Sequence, residues 1–331
     1  MTVMLNNTYY IEVKRRKKEL LKKVVFCMQH FDDSFNSELL SAVDTLEEAG
    51  IRAFIKYPEA ADIDNEKLLT FIMGDSQEEP CNMLIATDSD QMAKVLMDKG
   101  AFVIGVQHEN NKGQEFPGLK YVFSDIEYVD ADSYEKAYER YAGIPWKILE
   151  TDRCLIRETT LEDVDSFYEI YADPEMTRYM EGLFEDPADE KKYTRDYIEK
   201  VYGLMGFGTW TVILKETGEI IGRAGFSIRN GFDDVELGFL IGTKHQRQGY
   251  AYEVCKAIVE YGRDVLMFER LQALVKAENT VSIHLCEKLG FVKYEEVNVE
   301  ENIYGSKYGE GVKVPISEAE YGKYVKMLME F

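Results

Sequence analysis

Several features that would place a chain in a special class are scarce in this sequence. Seven prolines among 331 residues leave little room for a proline-rich disordered arm. No apolar run approaches the ~18 residues that a membrane helix needs. The first 25 residues are polar and basic where a signal peptide would need an apolar stretch. We therefore expect a soluble, cytoplasmic protein that does not bind membranes.

Cysteine and histidine are also few and scattered. The five cysteines form no C-x-x-C pair, and the four histidines show no metal-ligand spacing. This pattern suits a reducing compartment and argues against a disulfide framework or a zinc knuckle. We therefore predict no metal site.

Basic residues are outnumbered, with 39 Lys and Arg against 61 Asp and Glu and a net charge of −22. Such a field disfavours nucleic acid and could attract a cationic amine, although solubility alone would also explain it. One segment, 14–18, is basic. It is expected to be the solvated face of a leading helix, or else a phosphate contact.

In the first half of the chain, short apolar segments alternate with helical patterns. Strands are predicted at 24–28, 51–57, 83–86, 102–106 and 121–123, and helices at 37–49, 88–99 and 133–141. Short apolar strands that alternate with helices indicate a parallel sheet covered on both faces. Residues 1–147 are therefore predicted to form an α/β Rossmannoid domain.

The segment 142–146 breaks the helical pattern, because Pro145 disfavours helix in the residue before it, and a domain boundary is placed between 143 and 152. After it, strands are predicted at 154–158, 208–215, 220–228, 235–241, 271–276 and 292–299. Helices are predicted at 161–172, 190–205, 250–267 and 280–289, with a closing helix at 317–329. This order predicts an α+β domain with a mixed sheet over 152–331.

A polar, glycine-containing loop joins the strand 235–241 to the helix that begins near Tyr250. Backbone N–H groups at a helix start have no partner within the helix, and the helix dipole favours an anion there. Gly249 would let a phosphate approach the backbone closely. Many such turns bind nothing, so the loop alone is a weak signal.

The pattern Gln246-x-x-Gly249-x-Ala251 resembles the pyrophosphate loop of GNAT N-acetyltransferases. Three further features are similar to that family: a strand with a glutamate before the loop, a strand ending near Asn279, and a helix ending in Glu287-Lys288-Leu289-Gly290-Phe291. The stretch 173–180 is similar to one in the branch that acetylates ribosomal-protein N-termini. The resemblance covers about 152–298.

The resemblance implies acetyl-CoA as co-substrate and a role for each matched position. The main chain of Phe239, Leu240 and Ile241 would pair with the pantetheine arm, and Asn279 would bond its amide. The pyrophosphate would lie on Gln246, Arg247, Gln248, Gly249, Tyr250 and Ala251, with Ser282 also near the cofactor. Glu236 would accept the proton of the amine, or else it is a strand carboxylate that faces solvent.

One position departs from the family pattern, because Cys286 stands where many members have a tyrosine that protonates the leaving thiolate. The thiol could donate that proton, or Cys286 is a small packing residue. In the second case, water or a hydroxyl such as that of Tyr250 or Ser282 would be the acid.

The first half resembles the late part of HAD-like hydrolases, in Leu84-Ile85-Ala86-Thr87-Asp88-Ser89 and in Val103-Ile104-Gly105-Val106. The D-x-D nucleophile motif of that family should follow the first strand, where this chain has Gln29 and His30 and then the adjacent Asp32 and Asp33. Without this motif, the domain lacks the nucleophilic carboxylate and the Mg²⁺-holding partner that phosphoryl transfer needs. A degenerate domain that contacts substrate or the second subunit of a homodimer is expected.

Taken together, the sequence predicts acetyl transfer from acetyl-CoA to a primary amine on a small cationic molecule or a peptide. Two alternatives stay open: a non-enzymatic acyl-CoA sensor, and a bifunctional protein with an active HAD-type phosphatase domain.

Overall fold

The computed structural model describes residues 21–30, 32–58, 67–74, 80–301, 308 and 320–331. These residues belong to two compact units, one that ends at Trp146 and one that runs from Lys147 to Phe331. The basic segment 14–18 lies outside the described residues.

The first unit is a parallel sheet with helices between its strands. Its strands are β1 (Lys23–Cys27), β2 (Arg52–Lys56), β3 (Leu84–Thr87), β4 (Phe102–Gln107) and β5 (Val122–Ser124). Its helices are α1 (Asp33–Glu48), α2 (Lys67–Met73), α3 (Asp90–Asp98) and α4 (Ala131–Tyr141). The strand order is β2-β1-β3-β4-β5, and every neighbouring pair is parallel.

Burial explains why the strands of this sheet are continuous apolar segments in the sequence. All residues of β1 and β3 are buried, and they divide between two cores, one on each face of the sheet. Because both faces are covered, the strands carry no polar alternation. The predicted α/β parallel-sheet architecture is confirmed.

Helix α1 begins four residues before the predicted start, because the Asp32 carboxylate caps it by accepting the N–H of Phe35 at 2.9 Å. Helix α3 begins at Asp90, two residues after the predicted start, with Ser89 as its N-cap. Helix α2 was not predicted.

The second unit is built on an eight-stranded mixed sheet. Its strands are β6 (Lys147–Glu150), β7 (Cys154–Arg157), β8 (Thr209–Leu214), β9 (Ile220–Ile228), β10 (Val235–Ile241), β11 (Arg270–Lys276), β12 (Val292–Glu301) and β13 (Glu320–Glu330). Its helices are α5 (Asp163–Tyr171), α6 (Pro187–Tyr197), α7 (Tyr250–Asp264) and α8 (Thr280–Leu289). A π-helical turn, Ile198–Tyr202, and a short α-helical turn, Gly203–Met205, extend α6.

The strand order is β12-β13-β11-β10-β9-β8-β7-β6. Within it, β10 and β11 are parallel and the other pairs are antiparallel. Helices α7 and α8 contribute Val254, Ile258 and Ile283 to the core on one face of the sheet. The predicted mixed sheet is confirmed.

The predicted closing helix at 317–329 is wrong, because Glu320–Glu330 is strand β13. It lies inside the sheet, pairing with β11 along one edge and with β12 along the other. Met327 and Met329 alternate into the core, which is the period of a strand. Two ladders of hydrogen bonds outweigh the local preference of a charged segment for helix.

Candidate active site

The sheet of the second unit opens between β10 and β11. These parallel strands pair only at Val235 with Leu271 and at Glu236 with Gln272. Strand β10 stays paired with β9 as far as Ile241. From 237 to 241, therefore, one edge of β10 faces a gap, and this segment contains the predicted pantetheine residues Phe239, Leu240 and Ile241. An extended ligand can pair with such an edge.

The loop after β10 bends through two residues of left-handed conformation, Arg247 with φ 60° and Gly249 with φ 86°. Gly249 precedes the first residue of α7. The main-chain N–H groups of 247–252 make no hydrogen bond with the described part of the chain. Consecutive unpaired N–H groups in such a bend form a concave anion site at the positive end of the helix dipole.

Not every side chain of the predicted loop points to a ligand. The side chain of Gln246 turns back and donates to the carbonyl of Ile241 at 2.9 Å, and that of Gln248 donates to the carbonyl of Lys244 at 3.0 Å. These two glutamines brace the loop. Tyr250 is buried, and Ala251 packs against the core.

A second contact fixes the loop from outside. Thr243 donates its hydroxyl to the Asp173 carboxylate at 2.7 Å, and this hydrogen bond lowers the pKa of Asp173. Met176 accepts a weak hydrogen bond from Gln246 at 3.7 Å. The stretch 173–180 thus reaches the loop at two points.

Glu236 lies where the two strands separate. It is buried, and its Oε2 accepts from Nε of Arg229 at 3.0 Å. Burial raises the pKa of Glu236, against the opposing charge and hydrogen bond of Arg229. Sequence reasoning missed Arg229, which follows β9 in an irregular turn.

Gly238 leaves open space beside Glu236 on the sheet face opposite α7. Leu237 and Ile241 point into the α7 core, so Glu236, Gly238 and Leu240 point to the other face. Gly238 pairs with Gly225 of β9. A Cβ added to Gly238 would meet no atom of the described residues within 4 Å, whereas one added to Gly225 would collide with the carbonyl of Gly208. Gly238 therefore leaves space next to the carboxylate, whereas Gly225 lets the backbones of β8 and β9 approach closely.

Helix α8 begins beside the gap. The Asn279 side-chain oxygen accepts from the N–H of Ser282 at 3.1 Å and caps the helix. Among the described residues the Asn279 amide nitrogen makes no hydrogen bond, and its contact with the amide arm of the cofactor stays a prediction.

Cys286 is fully buried in the core shared by α7 and α8. Burial raises the pKa of its thiol to about 12, with a smaller effect of Glu287. A thiol that is so weak an acid and has no exposed surface is a poor proton donor. The structure supports the packing interpretation of Cys286.

In the first unit, polar groups gather at the carboxyl ends of β1, β3 and β4. The buried carboxylate of Asp88 accepts from the N–H groups of Gln29 and His30 at 2.8 and 2.6 Å. Nε2 of His108 lies 3.4 Å from the same carboxylate. Among the described residues, no group of three or more His, Cys, Asp or Glu could hold a metal ion.

Comparison with known proteins identifies the family to which the second unit belongs. The profile of the acetyltransferase (GNAT) domain matches residues 153–292. The chain is 35% identical over 151 residues to an uncharacterized N-acetyltransferase, p20, of Bacillus licheniformis, covering 44% of this chain and 82% of that protein. It is 32% identical over 152 residues to the uncharacterized N-acetyltransferase YoaA of Bacillus subtilis, covering 44% and 83%.

A solved structure of a GNAT-family acetyltransferase from Bacillus anthracis is 22% identical, with a TM-score of 0.41, and covers 55% of this chain and 97% of that one. Separately, no helix within the described residues is long and apolar enough to cross a membrane. From the match to the domain profile and the identity with the Bacillus relatives, this chain belongs to the GNAT acetyltransferase family and is an acyltransferase that uses acetyl-CoA as co-substrate.

Proposed function

We propose that this protein transfers the acetyl group of acetyl-CoA to a primary amine, on a small cationic molecule or a peptide, with Glu236 as proton acceptor. The observation that carries the proposal is the position of Glu236. Its carboxylate lies where β10 and β11 separate, and beside it Gly238 leaves space for an acceptor.

The chemistry requires a base because a protonated amine cannot attack a thioester. In the proposed reaction, Glu236 takes one proton from the ammonium group, directly or through water. The free nitrogen attacks the thioester carbonyl, and main-chain N–H groups along the open edge of β10 stabilise the oxyanion. The carbon–sulfur bond then breaks and CoA leaves as a thiolate, which takes a proton from water or from a hydroxyl such as that of Ser282 or Tyr250. The nitrogen loses its second proton as the amide forms, and this proton replaces the one that the water or hydroxyl gave to the thiolate.

The environment of Glu236 suits this role. Burial brings its pKa closer to neutrality, which makes the carboxylate a stronger base than an exposed glutamate. Arg229 acts in the opposite direction and helps to keep the carboxylate ionised. The acidic charge of the whole chain would favour the approach of a cationic acceptor.

The decisive experiment is a turnover screen with acetyl-CoA across amine classes, from polyamines and aminoglycosides to peptides with free N-termini, with mass spectrometry of each product. A single mass increase of one acetyl group on a primary nitrogen is expected. Acetylation of a hydroxyl acceptor only, or acetyl-CoA hydrolysis without any acceptor product, would overturn the proposal.

For the first unit we propose a degenerate HAD-like domain that binds or assembles but does not hydrolyse phosphate esters. The Asp32 carboxylate is engaged as the cap of α1. Asp88 already accepts two main-chain N–H groups. Both carboxylates thus have structural roles, which supports the proposal of a degenerate domain.

A further inference from the structure

The turn between β6 and β7 lies at the start of α7 and donates hydrogen bonds to the Glu253 carboxylate there. Glu253, in the first turn of α7, accepts from the Thr151 hydroxyl at 2.6 Å and from the Arg153 main-chain N–H at 2.9 Å. Its second oxygen accepts from Nε of Arg153 at 2.7 Å. Residues 100 positions apart in sequence are thus joined at the mouth of the pyrophosphate loop.

The guanidinium of Arg153 also contacts the loop itself. Its Nη1 donates to the carbonyl of Gln248 at 3.0 Å, and its carbon lies 4.1 Å from the centre of the Tyr250 ring. Because Nε and Nη1 are both engaged and the plane stacks on an aromatic ring, the orientation of the guanidinium is fixed.

One edge of this fixed guanidinium faces Gly249 in the loop 246–251. Nη2 lies 3.4 Å from the position that a Cβ of Gly249 would occupy, and it makes no hydrogen bond with any described residue. The side chain is 43% exposed. A donor with fixed direction and no partner therefore lies beside the glycine whose missing side chain would admit a phosphate.

The charges of Glu253 and Arg153 also favour a phosphate at this position. A carboxylate in the first turn of α7 would repel a pyrophosphate bound at the start of that helix, and the ion pair with Arg153 cancels the charge of Glu253. Guanidinium groups match phosphate oxygens in geometry as well as in charge. Arg153 both neutralises Glu253 and offers a donor.

We propose that Arg153 is a ligand of the acetyl-CoA pyrophosphate, held in position by Glu253. The proposal depends on the assignment of 246–251 as the pyrophosphate loop and does not depend on which amine is acetylated.

The test compares Arg153→Ala with Arg263→Ala in the full chain. Arg263 is an exposed arginine near the far end of the same helix, paired with Asp264. We expect Arg153→Ala to raise the Kd for acetyl-CoA about 10- to 100-fold, the range for a charged hydrogen bond, and Arg263→Ala to leave it unchanged. Arg153→Lys, which keeps the charge without the planar fork, should recover only part of the affinity.

The readout that separates a ligand from a structural residue is turnover with S-acetylpantetheine, which lacks the pyrophosphate. Arg153→Ala should leave kcat/KM for this substrate within about twofold of wild type while lowering it for acetyl-CoA. An equal loss with both substrates would assign Arg153 to structural support only and overturn the proposal, as would an unchanged Kd.

Gly249→Val distinguishes this inference from the loop assignment. A β-branched side chain at φ 86° would be strained and would fill the space for the phosphate. If Gly249→Val abolishes acetyl-CoA binding and Arg153→Ala does not change it, the loop assignment stands and the role of Arg153 is refuted. If neither substitution changes the Kd, the loop assignment itself falls.

Discussion

Replacing Glu236 by glutamine removes the basicity of the side chain while keeping its shape. A positioned general base contributes about 10²- to 10⁴-fold to rate, so kcat should fall at least about 100-fold, which corresponds to about 2.7 kcal/mol. Glu236→Gln changes neither the open edge of β10 after residue 236 nor the loop 246–251. The Kd for acetyl-CoA should therefore stay within about twofold of wild type.

The structure also sets the expected effect on stability. Glutamine can still accept the hydrogen bond that Arg229 makes at 3.0 Å, and Arg229 is itself 34% exposed, so water can solvate its charge. The free energy of unfolding should therefore change by less than about 1 kcal/mol. A loss of turnover with unchanged melting temperature would separate chemistry from folding.

The pH profile is the most direct assay. Glu236 accepts a proton only when ionised, and burial raises its pKa. Wild-type kcat/KM should therefore fall as the pH drops through this raised pKa, above the range of an ordinary glutamate. In Glu236→Gln this acidic limb should be absent, with CoA release as the continuous assay.

A matched control is Asp234→Asn. Asp234 is also buried and is paired with an arginine, Arg270, at 2.6 Å, but it precedes β10 and lies outside the proposed site. It should keep the wild-type pH profile and kcat. If Glu236→Gln retains the acidic limb and a kcat within about threefold of wild type, Glu236 is not the base.

Three further predictions address the space at Gly238, the buried thiol of Cys286 and the first unit. Gly238→Val should fold, because a Cβ there meets no described residue within 4 Å. It should raise KM for the amine about tenfold or more with little change in acetyl-CoA affinity, and an unchanged KM in steady-state kinetics would place the acceptor elsewhere. Cys286→Ala should lower stability by about 1 kcal/mol in thermal unfolding and leave kcat nearly unchanged, whereas a large drop in kcat at equal stability would restore the thiol as proton donor. The full chain with Mg²⁺ should hydrolyse no phosphomonoester in a panel, and turnover that an Asp32→Ala/Asp33→Ala double variant loses would show a second active site.

Sequence patterns alone were sufficient for features that arise from neighbouring residues. The apolar strands, the helix start at Tyr250 and the unpaired N–H groups of the loop depend on residues within one or two turns of each other. The same holds for the resemblance carried by Gln246, Gly249 and Ala251, which match a family motif within six positions. This explains why both sheet types and the family were predicted correctly.

The tertiary structure decided what depends on distant partners. Glu320–Glu330 is a strand because β11 and β12 supply its hydrogen bonds. Cys286 is buried because it lies in the core shared by α7 and α8, and Arg153 reaches Gln248 only because the β6–β7 turn lies at the start of α7. Sequence periodicity records which face of an element is apolar, but it carries no information about which distant element covers that face, and hydrogen bonds and burial are set by that neighbour.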